Sequence, residues 1–244
     1  MNSGYYAACA GLRAQSQALE VMASNLANLN TTGYLGQQPT FRSLLASARV
    51  GPMTELNLAV NDFNTLGGAR VDLAPGNLER TGNPLDLAVE GGGFFVIQTK
   101  AGTMYTRNGS FQVSPGGQLV TAEGDAVLGE QGPVNLPAGP VAISPDGTLS
   151  VNGAVAGKLR LVEFAAGSSP QPQGHSLYAA PADAVKTATN SSIRQGMLES
   201  SNVNPIAAAV SLIAVQRHAD MLQRALSAFY GEFNRIVADD LPRV

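Results

Sequence analysis

The residues able to do chemistry are few. The chain has two histidines, His175 and His218, and one cysteine, Cys9. Neither histidine stands beside a cysteine or a carboxylate pair at metal-ligand spacing. His175 lies in a run of Pro, Gln and Gly, and His218 falls off the apolar row of the helix predicted around it, so both read as surface side chains. Asp239-Asp240 sits near a fraying end and reads as solvated. No Gly-x-Ser-x-Gly elbow is present. Gly91-Gly92-Gly93 lacks the Lys-Ser/Thr of a phosphate loop and precedes a strand-like run, so it reads as a bulge or a close approach of backbones. The expectation is therefore no catalytic residue, no cofactor, no metal and no enzyme.

Composition narrows the class further. With 244 residues and 44% hydrophobic content the chain can build a sizeable core. Charged residues are only 14%, below the ~25% usual for a soluble domain, which suggests a surface that meets protein more than water. Net charge is −3 and basic residues are scattered, which argues against nucleic acid as a partner. A lone cysteine makes no intrachain disulfide. Tyr6-Ala7-Ala8-Cys9 resembles a lipoprotein cleavage box only faintly, and Cys9 reads as a small helix residue. No cleavable signal peptide is visible. The longest apolar stretch, Ile206 to Val215, is interrupted by Ser211 and is shorter than a ~20-residue membrane span. The expectation is a soluble chain without membrane insertion. If it leaves the cytoplasm, it does so without an ordinary signal.

The elements that carry this sequence are helices at the ends and strands between them. Tyr5, Leu12, Leu19 and Leu26 recur every seven residues, with Ala8, Gln15, Met22 and Leu29 as the second row, a spacing that suits a coiled-coil seam and an ordinary amphipathic helix packed on its own domain equally well. Asn28, Asn30, Thr31 and Thr32 compete for backbone hydrogen bonds, and Gly33 suits the left-handed residue that ends a helix. The first helical segment is thus placed in residues 1–34. At the other end Pro205 suits a first helical turn. Leu212, Val215, Ala219, Leu222, Leu226, Phe229, Phe233 and Ile236 keep an unbroken three-four spacing, a rod about 37 Å long. A helix of this kind needs a partner for its apolar edge. Residues 1–34 carry the matching pattern, so the two ends are expected to pair as one helical layer, with the second helix in residues 196–244.

Between them, residues 35–80 are punctuated by Pro39, Gly51-Pro52, Gly67-Gly68 and Pro75-Gly76 and read as an extended connector with short strands. A short helix is expected from Phe41 to Val50, and Asn57 to Phe63 alternates weakly. From Thr81 onward strand signals dominate. Leu85, Leu87 and Val89 alternate with Asp86, Ala88 and Glu90, and the apolar run Phe94-Phe95-Val96-Ile97 follows. Asn108-Gly109 is a hairpin-turn pair. Ser114-Pro115-Gly116-Gly117-Gln118-Leu119 recurs as Ser144-Pro145-Asp146-Gly147-Thr148-Leu149, which suggests two similar hairpins. The expected fold is mixed: an all-β domain over 81–195, flanked by terminal α-helices that pair in a coiled-coil-like layer.

Four stretches also resemble a known family. Asn25, Ala27, Asn28, Asn30, Thr31, Gly33 and Tyr34 match the Asn-x-Ala-Asn-x-Asn-Thr-x-Gly-Tyr/Phe signature of flagellar basal-body rod and hook proteins. Thr81 to Phe95, including Gly82, Asn83, Leu85, Asp86, Gly93 and Phe94, resembles a second family segment. Tyr105-Thr106-Arg107-Asn108-Gly109-Ser110-Phe111 is similar to its Tyr-Thr-Arg-x-Gly-x-Phe. Gly196 to Asn204, with Ser201, Asn202, Val203 and Asn204, resembles the family's lead into its terminal helix. Two departures stand out: Leu35 follows Tyr34 where a basic residue is common, and His218-Ala219 follows Gln216-Arg217 where an aromatic is common. The resemblance implies a structural subunit of the flagellar rod. Its partners would be itself, other axial rod and hook proteins and the flagellar type III export apparatus. Its place would be the basal body in the periplasm, in a helical tube that carries torque from motor to hook.

A second class remains, a secreted β-domain that binds carbohydrate or peptide and oligomerises through its helices. Such a binder needs clustered aromatics for stacking, and the chain has no Trp and 6% aromatic residues. Heptads at both ends favour the first class.

Overall fold

The computed structural model describes residues 2–43, 64–165 and 167–240. It opens with helix α1 (Asn2–Ala27) and closes with helix α2 (Pro205–Asp240). Between them come β1 (Gln37–Ser43) and β2 (Asn64–Val71), then β3 (Leu78–Arg80), β4 (Leu87–Glu90), β5 (Phe94–Thr99) and β6 (Gly102–Thr106). Next are β7 (Gln112–Val113), β8 (Leu119–Val120), β9 (Ala126–Gly129), β10 (Gly132–Pro133), β11 (Val141–Ile143), β12 (Thr148–Val151) and β13 (Ala154–Lys158). The series ends with β14 (Leu161–Phe164), β15 (Gln171–Gly174), β16 (Leu177–Ala179), β17 (Val185–Thr187), β18 (Ser192–Gln195) and β19 (Met197–Glu199). The chain is thus mostly β between an N-terminal and a C-terminal helix.

Two compact units divide it. One holds Met1–Leu26, Gln37–Arg70 and Pro205–Val244, that is, both helices and the β1-β2 ribbon. The other, the body, holds Ala27–Gly36 and Val71–Asn204. The stretch 35–80 is therefore shared between the units. Phe41 to Ser43 belong to β1, so the helix expected to begin at Phe41 does not start there. The ribbon claims these residues instead, and the Thr40 hydroxyl donates to the Gly68 carbonyl at 2.9 Å across it. The rest of that expected helix and the Asn57 to Phe63 alternation lie outside the described residues.

The body is built around β5, the middle of a sheet ordered β15-β16-β6-β5-β9-β8-β7, with β14 also pairing β5 and β17 pairing β14. The run Phe94-Phe95-Val96-Ile97 is apolar at every position because both faces of this strand are covered. Phe95 and Ile97 enter one core with Leu87, Val89, Leu119, Leu149 and Ile193. Phe94 and Val96 enter a second core on the opposite face with Leu35, Val71, Tyr105, Val162 and Tyr178. Strands β11, β12 and β13 make a separate antiparallel sheet, while β18 pairs β4 and β19 pairs β3.

The repeated Ser-Pro segment folds the same way twice. Ser114 donates to the Gln118 carbonyl and Gly117 to the Ser114 carbonyl, both at 2.8 Å; Ser144 to Thr148 and Gly147 to Ser144 repeat this at 2.9 Å. Both turns place a glycine in the left-handed region, Gly117 at φ 80° and Gly147 at φ 86°.

Candidate functional site

The family-like segments, far apart in sequence, meet in the body where the chain comes in from α1 and goes out toward α2. Helix α1 ends at Ala27 and the turn 28–33 follows. Thr31 N–H donates to the Asn28 carbonyl at 3.2 Å and its hydroxyl to the Asn28 side chain at 3.1 Å. Gly33 then takes φ 65°, and its N–H donates to the Glu199 carbonyl at 2.7 Å. A Cβ here would collide with the backbone nitrogen of Asn108, so glycine is required by conformation and by space together.

Glu199 is the hub. It is fully buried and pairs with the fully buried Arg107, Nη1 to Oε2, at 3.0 Å. Its other oxygen, Oε1, accepts the Gly76 N–H at 2.8 Å. Arg107 Nη1 also donates to the Val89 carbonyl at 3.3 Å, and Nη2 donates to the Gly91 carbonyl at 2.7 Å. Its guanidinium carbon stands 4.7 Å from the centre of the Phe94 ring. Its Nε has no acceptor among the described residues. A buried charge is tolerated only when paired and hydrogen-bonded, and here the glycine segment 91–93 supplies the acceptor. Gly91 takes φ 110°, and side chains at 91 and 93 would crowd Asn190 and Ser191, so the triplet is a close backbone approach.

Asn202 ties the outgoing segment to the incoming one. Its Oδ1 accepts the Gly36 N–H at 2.7 Å, while Nδ2 donates to the Asp72 carbonyl at 3.0 Å and the Ala74 carbonyl at 2.7 Å. Its own N–H donates to the Tyr34 carbonyl at 3.3 Å. Tyr34 is buried, and Leu35 is an apolar member of the second core. Ser201 accepts the Val203 N–H at 3.3 Å; Val203 is half-buried and Asn204 is exposed. The remaining motif residues brace this arrangement. Asn83 Nδ2 donates to Asp86 at 2.9 Å and its Oδ1 accepts the Leu85 N–H at 3.2 Å. Gly82 N–H donates to the Gly196 carbonyl at 3.1 Å, and Gly196 N–H donates to the Asp86 carbonyl at 2.8 Å. Thr106 Oγ1 donates to the Ser176 carbonyl at 2.7 Å, and Tyr105 lies in the second core.

Asn108-Gly109 is not a hairpin turn. Strand β6 pairs with β5 and β16, not with the strand that follows. Asn108 instead closes a local turn, its side chain accepting the Ser110 N–H at 3.0 Å. Gly109 lets the Leu87 backbone come close, with Leu87 N–H donating to the Gly109 carbonyl at 3.0 Å, and a Cβ would strike the Leu87 carbonyl oxygen. The same two residue types serve a turn or a tertiary contact, and the neighbouring strands decide which. The hub is not legible in the sequence: Glu199 lies in the Gly196 to Asn204 segment, but nothing local marks a pair 92 residues apart.

In the other unit, Asn25 holds the backbone of Gln37 from both sides, its Oδ1 accepting that N–H at 2.8 Å and its Nδ2 donating to that carbonyl at 2.7 Å. Along α1, Leu12, Leu19, Met22 and Leu26 are half-buried, and Ala14, Ala18 and Asn25 are the enclosed positions among its described side chains. In the following turn Leu29 is half-buried and Asn30 is exposed. Along α2, Leu212, Val215, Ala219, Leu222 and Leu226 are half-buried while the described side chains among them are exposed. Gln15 Nε2 donates to the Val215 carbonyl at 3.3 Å. The side chains of Tyr5, Phe229, Phe233 and Ile236 lie outside the described residues. His175 is exposed, 3.4 Å from Glu123, and His218 is exposed. No group of three metal-ligating side chains occurs among the described residues, and no helix there is long and apolar enough to cross a membrane.

The incoming loop is also held by Tyr178, whose hydroxyl accepts the Leu35 N–H at 2.9 Å. Burial pushes the phenol up to about 12 against the pull of that N–H. The neutral form is favoured in the fold, so its contribution to stability is full below the unfolded value near 10 and is lost as pH rises toward about 12. Stability of the wild-type body is therefore expected to fall more steeply between pH 10 and 12 than that of Tyr178→Phe, measured by denaturant titration. Parallel curves would show that this phenol is not buried as described.

Three family models match the chain, and each covers part of this architecture. A flagella basal body rod protein model matches residues 6–34, a flagellar hook protein FlgE/F/G D1 domain model matches 88–151, and a flagellar basal body rod FlgEFG protein C-terminal model matches 194–229. Gly33, Arg107 and Glu199 thus come one from each. The flagellar basal-body rod protein FlgF of Salmonella typhimurium strain LT2 is 37% identical over 225 residues, covering 85% of this chain and 86% of that protein. FlgF of Mesorhizobium japonicum is 33% identical over 222 residues, 89% of each. FlgG of Buchnera aphidicola from Acyrthosiphon pisum is 30% identical over 241 residues, 89% of this chain and 92% of that protein. With identity at this level along most of its length, and with the matched segments joined in one buried knot, the chain belongs to the flagellar basal-body rod protein family.

Proposed function

We propose that this chain is a structural subunit of the bacterial flagellar basal-body rod, polymerising into the tube through which torque passes from motor to hook. The observation that carries the reading is the knot. Glu199, Arg107, Gly33 and Asn202 fasten the incoming and outgoing segments to each other inside a rigid β body. Two helices carrying apolar seams continue from those segments. A subunit under torque needs such a joint, because force entering along the helices must reach the body without pulling strands apart. The family is one of structural rod proteins, not enzymes.

In this reading α1 and α2 pair along Leu12, Leu19, Met22 and Leu26 on one side and Leu212, Val215, Ala219, Leu222 and Leu226 on the other. The Gln15 to Val215 hydrogen bond and the half-burial of both rows support that pairing. Neighbours would be further copies and other axial proteins. Delivery would be through the flagellar type III export apparatus, with assembly in the periplasm. The carbohydrate- or peptide-binding alternative gains no support from any feature of the body.

The test is biochemical. A tagged chain is expected to co-purify with basal bodies stripped of hook and filament, and cells lacking the gene to be non-motile. A chain that stays in the soluble periplasmic or cytoplasmic fraction while rods form normally would overturn the reading.

A further inference from the structure

One short segment near the end of the body serves several parts of it at once. Residues 192–202 carry β18 and β19. Among the described residues β18 is the sheet partner of β4, and β19 is the sheet partner of β3. The Gly196 carbonyl accepts the Thr81 and Gly82 N–H groups at 2.9 and 3.1 Å. Gln195 Oε1 accepts the Ile143 N–H at 3.1 Å, and its Nε2 donates to the Pro84 carbonyl at 2.8 Å and the Val141 carbonyl at 3.0 Å. Ile193 N–H donates to the Pro145 carbonyl at 2.8 Å, and Ser200 N–H to the Asn77 carbonyl at 2.8 Å. Added to the bonds of Glu199 and Asn202 with Gly33, Gly36 and Gly76, these contacts gather the incoming loop, the 72–90 stretch and the β11-β12-β13 sheet onto one segment. The large sheet around β5 includes neither β18 nor β19.

We infer that residues 192–202 form a clasp, a segment that docks last on a β5 sheet already formed and that opens and closes as one unit with the segments receiving it. Sequence distance sets the order. The β5 sheet includes pairings between neighbours in sequence, β5 with β6 and β8 with β9. The clasp reaches back 104 residues from Arg194 to Glu90 and 92 from Glu199 to Arg107. Contacts this far apart meet the loop-closure cost before they return any stabilisation, so they form late. Chemistry sets the unity. With the clasp undocked, Arg107 loses its carboxylate, Gly33 and Gly76 lose their acceptors, and β3 and β4 lose their partners, all in one step. Partial docking leaves buried polar groups unpaired, which favours full docking or full release. The entry of the chain into the body and its exit are therefore ordered together. Every contact lies within the body, so the inference goes beyond the rod-subunit reading and stands apart from it.

The test is native-state hydrogen exchange of the full chain in rising denaturant, read at single amides. Gly33, Gly76 and Gly82 report on the receiving segments, and Ile193, Gly196 and Ser200 on the clasp itself. These amides are expected to share one opening free energy and one denaturant slope, both below those of the β5 and β6 amides. Gln195→Ala is expected to speed exchange at all of them by a similar factor, about 5- to 30-fold, and to leave β5 and β6 unchanged. The Gln195 side chain bonds at Pro84, Val141 and Ile143 and not at Gly33 or Gly76, so a shared effect there reports coupling. Exchange of the clasp amides only together with β5 and β6 would mean that no clasp opens short of global unfolding. Separate opening energies among the reporters, or acceleration confined to Ile143, would mean that the contacts act singly. Each of these results would overturn the inference, and the wild-type measurement alone decides it should Gln195→Ala fail to fold.

Discussion

Replacing Glu199 with alanine is expected to lower the melting temperature of the body by roughly 6–20 °C. The side chain is fully buried and holds Arg107 at 3.0 Å. Removing it leaves a guanidinium in a dry site with only the Val89 and Gly91 carbonyls as acceptors. Breaking one side of a buried pair typically costs ~3–5 kcal/mol, and for a domain of this size each kcal/mol moves the midpoint by about 2–4 °C. The Gly76 N–H loses its acceptor as well. Arg107→Met should be damaging for the mirror-image reason, an unpaired carboxylate. Changing both to Met should cost less than either alone, because no buried charge then remains. Differential scanning calorimetry of the three variants reads the pattern. Additive losses in the double variant would show that the two residues do not act as a pair.

Gly33→Ala is expected to be nearly as severe, through geometry alone. The residue sits at φ 65°, where an L side chain costs ~1–2 kcal/mol. The added carbon would strike the Asn108 backbone nitrogen and lie 2.5 Å from the Arg107 carbonyl carbon. These are backbone atoms, fixed by the hydrogen bonds of the knot, and cannot swing aside. Either the 28–36 loop or the 106–109 segment must move, and the Gly33 to Glu199 hydrogen bond goes with it. Gly124→Ala is the control. Its φ is 88° with nothing within 4 Å of a new Cβ, so it bears the conformational cost alone. Gly33→Ala should therefore lower denaturation midpoints well beyond Gly124→Ala. Equal effects would mean that the two segments are not in contact.

These residues also mark what a sequence can and cannot disclose. Local chemistry placed Pro205 at the start of α2, the repeated Ser-Pro turns, and β5 with its unbroken apolar run, because each is decided by residues near in sequence. The partner of Arg107 is decided by the fold, and no periodicity carries that information. Asn108-Gly109 misled for the same reason: its hairpin signal is local, while β6 found its partners in β5 and β16. In α1 the leucine rows draw the eye, yet among its described side chains the most enclosed are Ala14, Ala18 and Asn25. Small residues add little to an apolar periodicity, so their enclosure leaves little mark in the sequence. Asn25 could have been found from its place in the family signature, though not its grip on Gln37.

The central claim, a rigid body joined to helices whose seam builds the rod, is tested most directly by Leu222→Asp. Leu222 is half-buried in the middle of the α2 seam, in the unit separate from the body. Truncating a buried leucine typically costs ~2–5 kcal/mol, and an unpaired carboxylate in its place adds a desolvation penalty. In a tube that penalty recurs at every subunit. The measurement is rod formation in cells producing only the variant, alongside thermal melting of the purified chain. The account predicts no rods and an unchanged melting transition for the body. Normal rods would contradict the assembly seam, and a collapsed body would contradict the division between body and helices.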